Sequence, residues 1–114
     1  MDAGHTPVLA EEVVQWLRVS PSGTYVDATL GLGGHAVRIA ERLTTGRLLG
    51  IDRDTTALEI ARERLKDFKD RVILVKADFS MIDEVIQAQN LGQVNGVLAF
   101  CAPRSAEGTR TGCF

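Results

Sequence analysis

Cysteine is nearly missing from this chain: only Cys101 and Cys113 carry a thiol among 114 residues. Their spacing matches no zinc or redox signature, so two free thiols in a reducing compartment are expected, and no metal site. A secretory leader is missing too, since Met1-Asp2-Ala3-Gly4-His5 has neither the basic nor the apolar region of one. No apolar run approaches the roughly 20 residues that span a bilayer, so a cytoplasmic location without a membrane partner is expected. Charge of one sign does not dominate either: 13 Lys and Arg against 15 Asp and Glu leave a formal net charge of −2. A nucleic-acid partner therefore cannot be read from overall electrostatics. What remains is an ordinary globular composition, 45% hydrophobic and 25% charged, which excludes disordered and fibrous classes. One domain of this length buries roughly 65% of the surface that its unfolded chain exposes.

Periodicity supplies the elements. Leu9, Val13 and Trp16 or Leu17 fall at helical spacing after Pro7, with Thr6 as the cap. Ser20-Pro21-Ser22-Gly23 is a turn by composition, and residues 24–30 read as a first strand running into glycines. Ala36, Val37, Ile39, Ala40 and Leu43 form one apolar face of a helix over 35–43. Residues 47–52 make a second strand. The next helix carries Leu58, Ala61, Leu65 and Phe68 inward, capped by Asp54 or Thr56, the latter fitting a capping box with Glu59. Residues 71–78 make a third strand, Ser80 caps a helix with Ile82, Val85 and Ile86 inward, and 94–100 make a fourth strand. Strand and helix alternating in this way demand right-handed crossovers and a parallel α/β sheet in the order 3-2-1-4. Residues 100–114 have no period and are expected to form an irregular tail foreign to the domain at 1–99.

Ligands of an open parallel sheet collect at the carboxyl ends of its strands. That edge carries Asp27 and Gly31, Gly33, Gly34 and His35 after strand one, Asp52 after strand two, and Asp78 and Phe79 after strand three. The glycines let backbone approach a ligand closely. Asp52 suits both hydroxyls of a ribose, Asp78 an adenine amino group, and Phe79 the side of a base. Each has a plainer reading, as a tight turn, a helix cap or a core residue; the convergence of successive strand ends favours an adenosine-type cofactor. The segment from Gly31 to Ala36 also satisfies G-x-G-x-x-G/A, so a dinucleotide competes. Asp27 would repel a nearby pyrophosphate but suits the amino group and sulfonium charge of S-adenosyl-L-methionine. His5 reads as a surface or capping residue.

The chain resembles the bacterial cytosine-N4 methyltransferases of 16S ribosomal RNA. The resemblance rests on His5-Thr6-Pro7-Val8-Leu9, on Tyr25 through Asp27-Ala28-Thr29-Leu30-Gly31-Leu32-Gly33-Gly34-His35, on Gly50-Ile51-Asp52-Arg53-Asp54 and on Asp78-Phe79-Ser80, and covers about residues 4–99. It implies a Rossmann-like class I S-adenosylmethionine-dependent methyltransferase fold, with Gly33, Gly34, His35, Asp52 and Phe79 lining the cofactor site. It also implies 16S ribosomal RNA, or the small ribosomal subunit, as substrate. Family members continue after the fourth strand with Asp-Leu-Gly-Val-Ser-Ser, where this chain has Phe100-Cys101-Ala102-Pro103-Arg104-Ser105. A truncated or frameshifted N-terminal portion is therefore expected, with no catalytic residue assigned. Strand four is expected to be an exposed apolar edge that invites self-association. The competing readings are a noncatalytic adenosine-cofactor-binding module and an NAD-dependent oxidoreductase fragment.

Overall fold

The computed structural model describes residue 12 and residues 14–28, 30, 33–99 and 110–113. Helix α1, described at residues 12 and 14–17, precedes strand β1 (Thr24–Asp27), helix α2 (Gly34–Arg42) and strand β2 (Arg47–Asp52). Helix α3 (Thr55–Arg64), strand β3 (Val72–Lys76), helix α4 (Ile82–Ala88) and strands β4 (Gly96–Ala99) and β5 (Arg110–Cys113) follow. The sheet order is β3-β2-β1-β4-β5, and every pairing is parallel. The expected 3-2-1-4 order is thus present. Thr6, Pro7, Leu9 and Val13 of the first helix, as well as His5, Gly31 and Cys101, lie outside the described residues.

Two expectations about the tail change. Arg110–Cys113 is a strand, in register with β4 from Gly96↔Arg110 to Ala99↔Cys113. β4 consequently lies inside the sheet, and the outermost strands among the described residues are β3 and β5. Arg110-Thr111-Gly112-Cys113 carries no apolar alternation; it is a strand because the backbone of β4 offers it a ladder, which side-chain patterning cannot reveal.

The register explains the core. Side chains alternate across a strand, so Val26, Leu49, Ile73 and Val97 form one row across four strands. That row packs with Ile51 and with Ile82 and Val85 of α4. On the other face Tyr25, Leu48 and Leu98 join Val14 and Leu17 of α1, Ile39 and Ala40 of α2, and Leu58 and Ala61 of α3. Val14 and Leu17 point inward, whereas Trp16 is 41% exposed. Gly96, paired with Tyr25, leaves the room that the tyrosine ring occupies: a Cβ there would stand 3.1 Å from both Leu17 and Tyr25. Tyr25 Oη accepts the Ser20 N–H at 2.7 Å and so fixes the turn before β1.

The capping of α3 differs in detail from the sequence expectation. Asp54 is the N-cap and accepts the Thr56 N–H at 3.0 Å, so Thr56 and Glu59 fall inside the helix and form no capping box. Ser80 is likewise not a cap: Asp78 caps the 3₁₀ turn Phe79–Met81, and Ser80 N–H is the donor to it. Below α3, the Arg71 guanidinium donates to the Leu43 carbonyl at 2.6 Å and lies 5.6 Å from the Phe68 ring, tying the start of β3 to the end of α2.

Candidate functional site

Because all strands run parallel, Asp27, Asp52 and the residues after Lys76 end at one edge of the sheet, and α2 begins there. Asp27 is the buried acidic residue of this edge, with 0% exposure. It sits between Gly50 and Leu98 in the register, on the face shared with Tyr25 and α2. A carboxylate there must be partnered within the fold, as Asp27 is.

Above it the chain turns through Leu30, whose carbonyl accepts the Gly33 N–H at 2.8 Å, and enters α2. Gly33 is the N-cap at φ 90°, a left-handed conformation that disfavours any Cβ. A Cβ there would also stand 3.4 Å from Ala61. Gly34 has neither constraint: its φ is not positive, and a Cβ would meet nothing within 4 Å among the described residues. The α2 N-terminus has no side-chain cap and no acidic residue in its first turn. Its first N–H groups and the positive end of its dipole thus lie at this edge with no side-chain acceptor among the described residues. His35 follows in the first turn, half-buried.

Asp52 is half-buried at the end of β2 and accepts the Asp54 N–H at 2.9 Å. The capping duty belongs to Asp54, so the plainer reading of Asp52 as a helix cap does not hold. For Asp78 the plainer reading does hold: it accepts the Ser80 hydroxyl at 2.7 Å and the Ser80 N–H at 3.4 Å. The Ser80 hydroxyl foremost, then its N–H, and the Arg53 guanidinium, hold the Asp78 carboxyl below its usual range. Phe79 is half-buried and packs against the β-sheet face that α4 covers. Asp27, Gly33, Gly34, His35, Asp52, Asp78 and Phe79 thus lie at the same sheet edge, while Gly31 lies outside the described residues.

Two residues of the Gly50–Asp54 segment, given no role by the sequence, shape this edge. Arg53 reaches across to Asp78 at 3.5 Å and links the loops after β2 and β3. Gly50 lets Leu30 fold back beneath the glycine turn, because a Cβ there would meet Leu30 and Leu74 at 2.9 Å. A glycine in the middle of an otherwise apolar buried strand was the available signal for the second.

A parallel sheet whose strand-end edge carries a glycine turn, a helix start and a following strand-end carboxylate defines the Rossmann-like α/β class. Solved structures share this fold: an RNA methyltransferase from Salinibacter ruber in complex with S-adenosyl-L-homocysteine superposes at TM-score 0.65, with 20% identity, over 87% of this chain and 61% of that one. A SAM-dependent O-methyltransferase from Thermotoga maritima does so at TM-score 0.69, with 14% identity, over 86% of this chain and 36% of that one. More particularly, the chain belongs to the MraW methylase family, whose model matches residues 2–100. It is 44% identical over 99 residues to ribosomal RNA small subunit methyltransferase H of Lachnospira eligens, covering 86% of this chain. To the protein of the same name from Brevibacillus brevis it is 46% identical over 110 residues, covering 93% of this chain. The chain spans about a third of the length of these relatives, 31% and 35% respectively. No helix among the described residues is long and apolar enough to cross a membrane.

Proposed function

We propose that this chain is the S-adenosyl-L-methionine-binding part of a methyltransferase of 16S ribosomal RNA that acts on the N4 amino group of a decoding-centre cytidine in the cytoplasm. The observation that carries the reading is Gly34: among the described residues nothing requires a glycine there, and none caps the adjoining start of α2. A ligand that must touch backbone is a reason for that residue type. The cofactor supplies an electrophilic methyl group. This chain's part is to hold it: Gly33 and Gly34 leave the backbone bare, the α2 N–H groups receive an anionic group, and Asp52 accepts from ribose hydroxyls. Asp27 balances the cationic end, and Phe79 walls off the base. Relatives named as ribosomal RNA small subunit methyltransferases support the RNA substrate.

The test is calorimetric titration with S-adenosyl-L-homocysteine, with NADH as control. Binding of the first alone, lost in Asp52→Ala, is expected; binding of NADH instead would favour an oxidoreductase fragment. Cofactor binding without methyl transfer to ribosomal subunits would favour a noncatalytic binding module.

A further inference from the structure

A cavity of about 310 Å³ lies away from the strand-end crevice, between the end of α3 and the beginning of β3. Leu65, Val72 and Leu74 make its apolar part, and Arg62, Lys66 and Lys69 its polar part, with no acidic residue lining it among the described residues. Glu63 engages Lys66 at 2.8 Å, whereas Arg62 and Lys69 have no hydrogen bond or ion pair among the described residues. The volume lies at the lower end of ligand pockets, the size for one flat heterocycle rather than a drug-sized molecule. Two cations without partners beside an apolar hollow match a ring flanked by anionic groups, which describes a nucleotide of single-stranded RNA with its two phosphates.

The position fits an RNA substrate. α3 has its N-terminus beside Asp52 and its C-terminal Arg62 at the cavity, and its ten residues span on the order of 15 Å at 1.5 Å each. A few nucleotides of single strand cover that distance. We propose that this cavity takes an unstacked base of the RNA, with Arg62 and Lys69 on the neighbouring phosphates, while the target nucleotide occupies the crevice. This rests on the RNA-methyltransferase reading given above.

The test is fluorescence anisotropy of the full chain with a labelled short single-stranded RNA, measured against salt, alongside calorimetry with S-adenosyl-L-homocysteine. Arg62→Gln with Lys69→Gln is expected to weaken RNA binding about tenfold and to flatten the slope of log affinity on log salt by about 1.4, two phosphates at about 0.7 each. Cofactor binding should not change, and Arg38→Gln on α2 should leave RNA binding intact. An abasic residue in the RNA should weaken binding to the wild type but not further to the double variant. Unchanged RNA affinity and slope in the double variant overturn the proposal while leaving the cofactor reading standing; loss of cofactor binding by the wild type strikes the latter instead. Octanoate bound at the cavity by a chain that ignores the RNA would also overturn it, in favour of a small anionic amphiphile.

Discussion

Gly33 and Gly34 are neighbours with different reasons to be glycine, and substitution separates them. Gly33→Ala places a Cβ on a left-handed backbone and should cost about 1–2 kcal/mol in thermal or denaturant unfolding. Gly34→Ala should leave stability unchanged or raise it by up to about 1 kcal/mol, while S-adenosyl-L-homocysteine binding is lost. Equal losses of stability at both positions would count against the ligand reading of Gly34. The Asp78 carboxyl titrates below its ordinary value because Ser80 donates to it. A lowered native value means that this stabilisation is complete above the ordinary carboxyl range and disappears as pH falls through the lowered value. Ser80→Ala should move the Asp78 titration upward in a carboxyl-detected NMR experiment; an unmoved midpoint would remove Ser80 as the cause. At these positions the sequence showed residue type but not purpose. Asp52 and Asp78 read alike as strand-end carboxylates, and only hydrogen bonds distinguish a turn acceptor beside Asp54 from a cap for Ser80.

At the scale of elements, the strands and helices were legible where apolar residues recur at a fixed period. Arg47–Asp52 coincides with its expected span, and α2 lies within one residue of the expected limits at either end. Ends were less legible, because several acceptors compete for the same N–H groups. Asp54 wins the start of α3 over Thr56. Asp54→Ala should therefore destabilise the chain by about 1 kcal/mol, whereas Thr56→Ala should change little in the same unfolding measurement. A reversed order would restore the capping box. β5 was illegible for a different reason: its residues are held by a ladder with β4 and not by a pattern of their own.

At the scale of the whole molecule, the sheet divides its core unequally. Among the described residues, the face covered by α1, α2 and α3 buries thirteen and the face covered by α4 buries six. The outer strand β5 is short, four residues from Arg110 to Cys113. A short outer strand blunts edge pairing, so self-association is expected to be weaker than an uncovered β4 would give and to use the outer strands β3 or β5, seen as concentration-dependent mass in light scattering behind a sizing column. A monodisperse monomer at all concentrations would exclude it. The unequal core has a temporal consequence. A layer resting on few buried contacts opens before the rest, so amides of α4 should exchange with deuterium while those of α2 and β2 are still protected. Phe79 packs into that thinner layer. A cofactor held against both Phe79 and the start of α2 would brace the thin layer against the thick one, so that the early exchange of α4 is delayed toward that of α2.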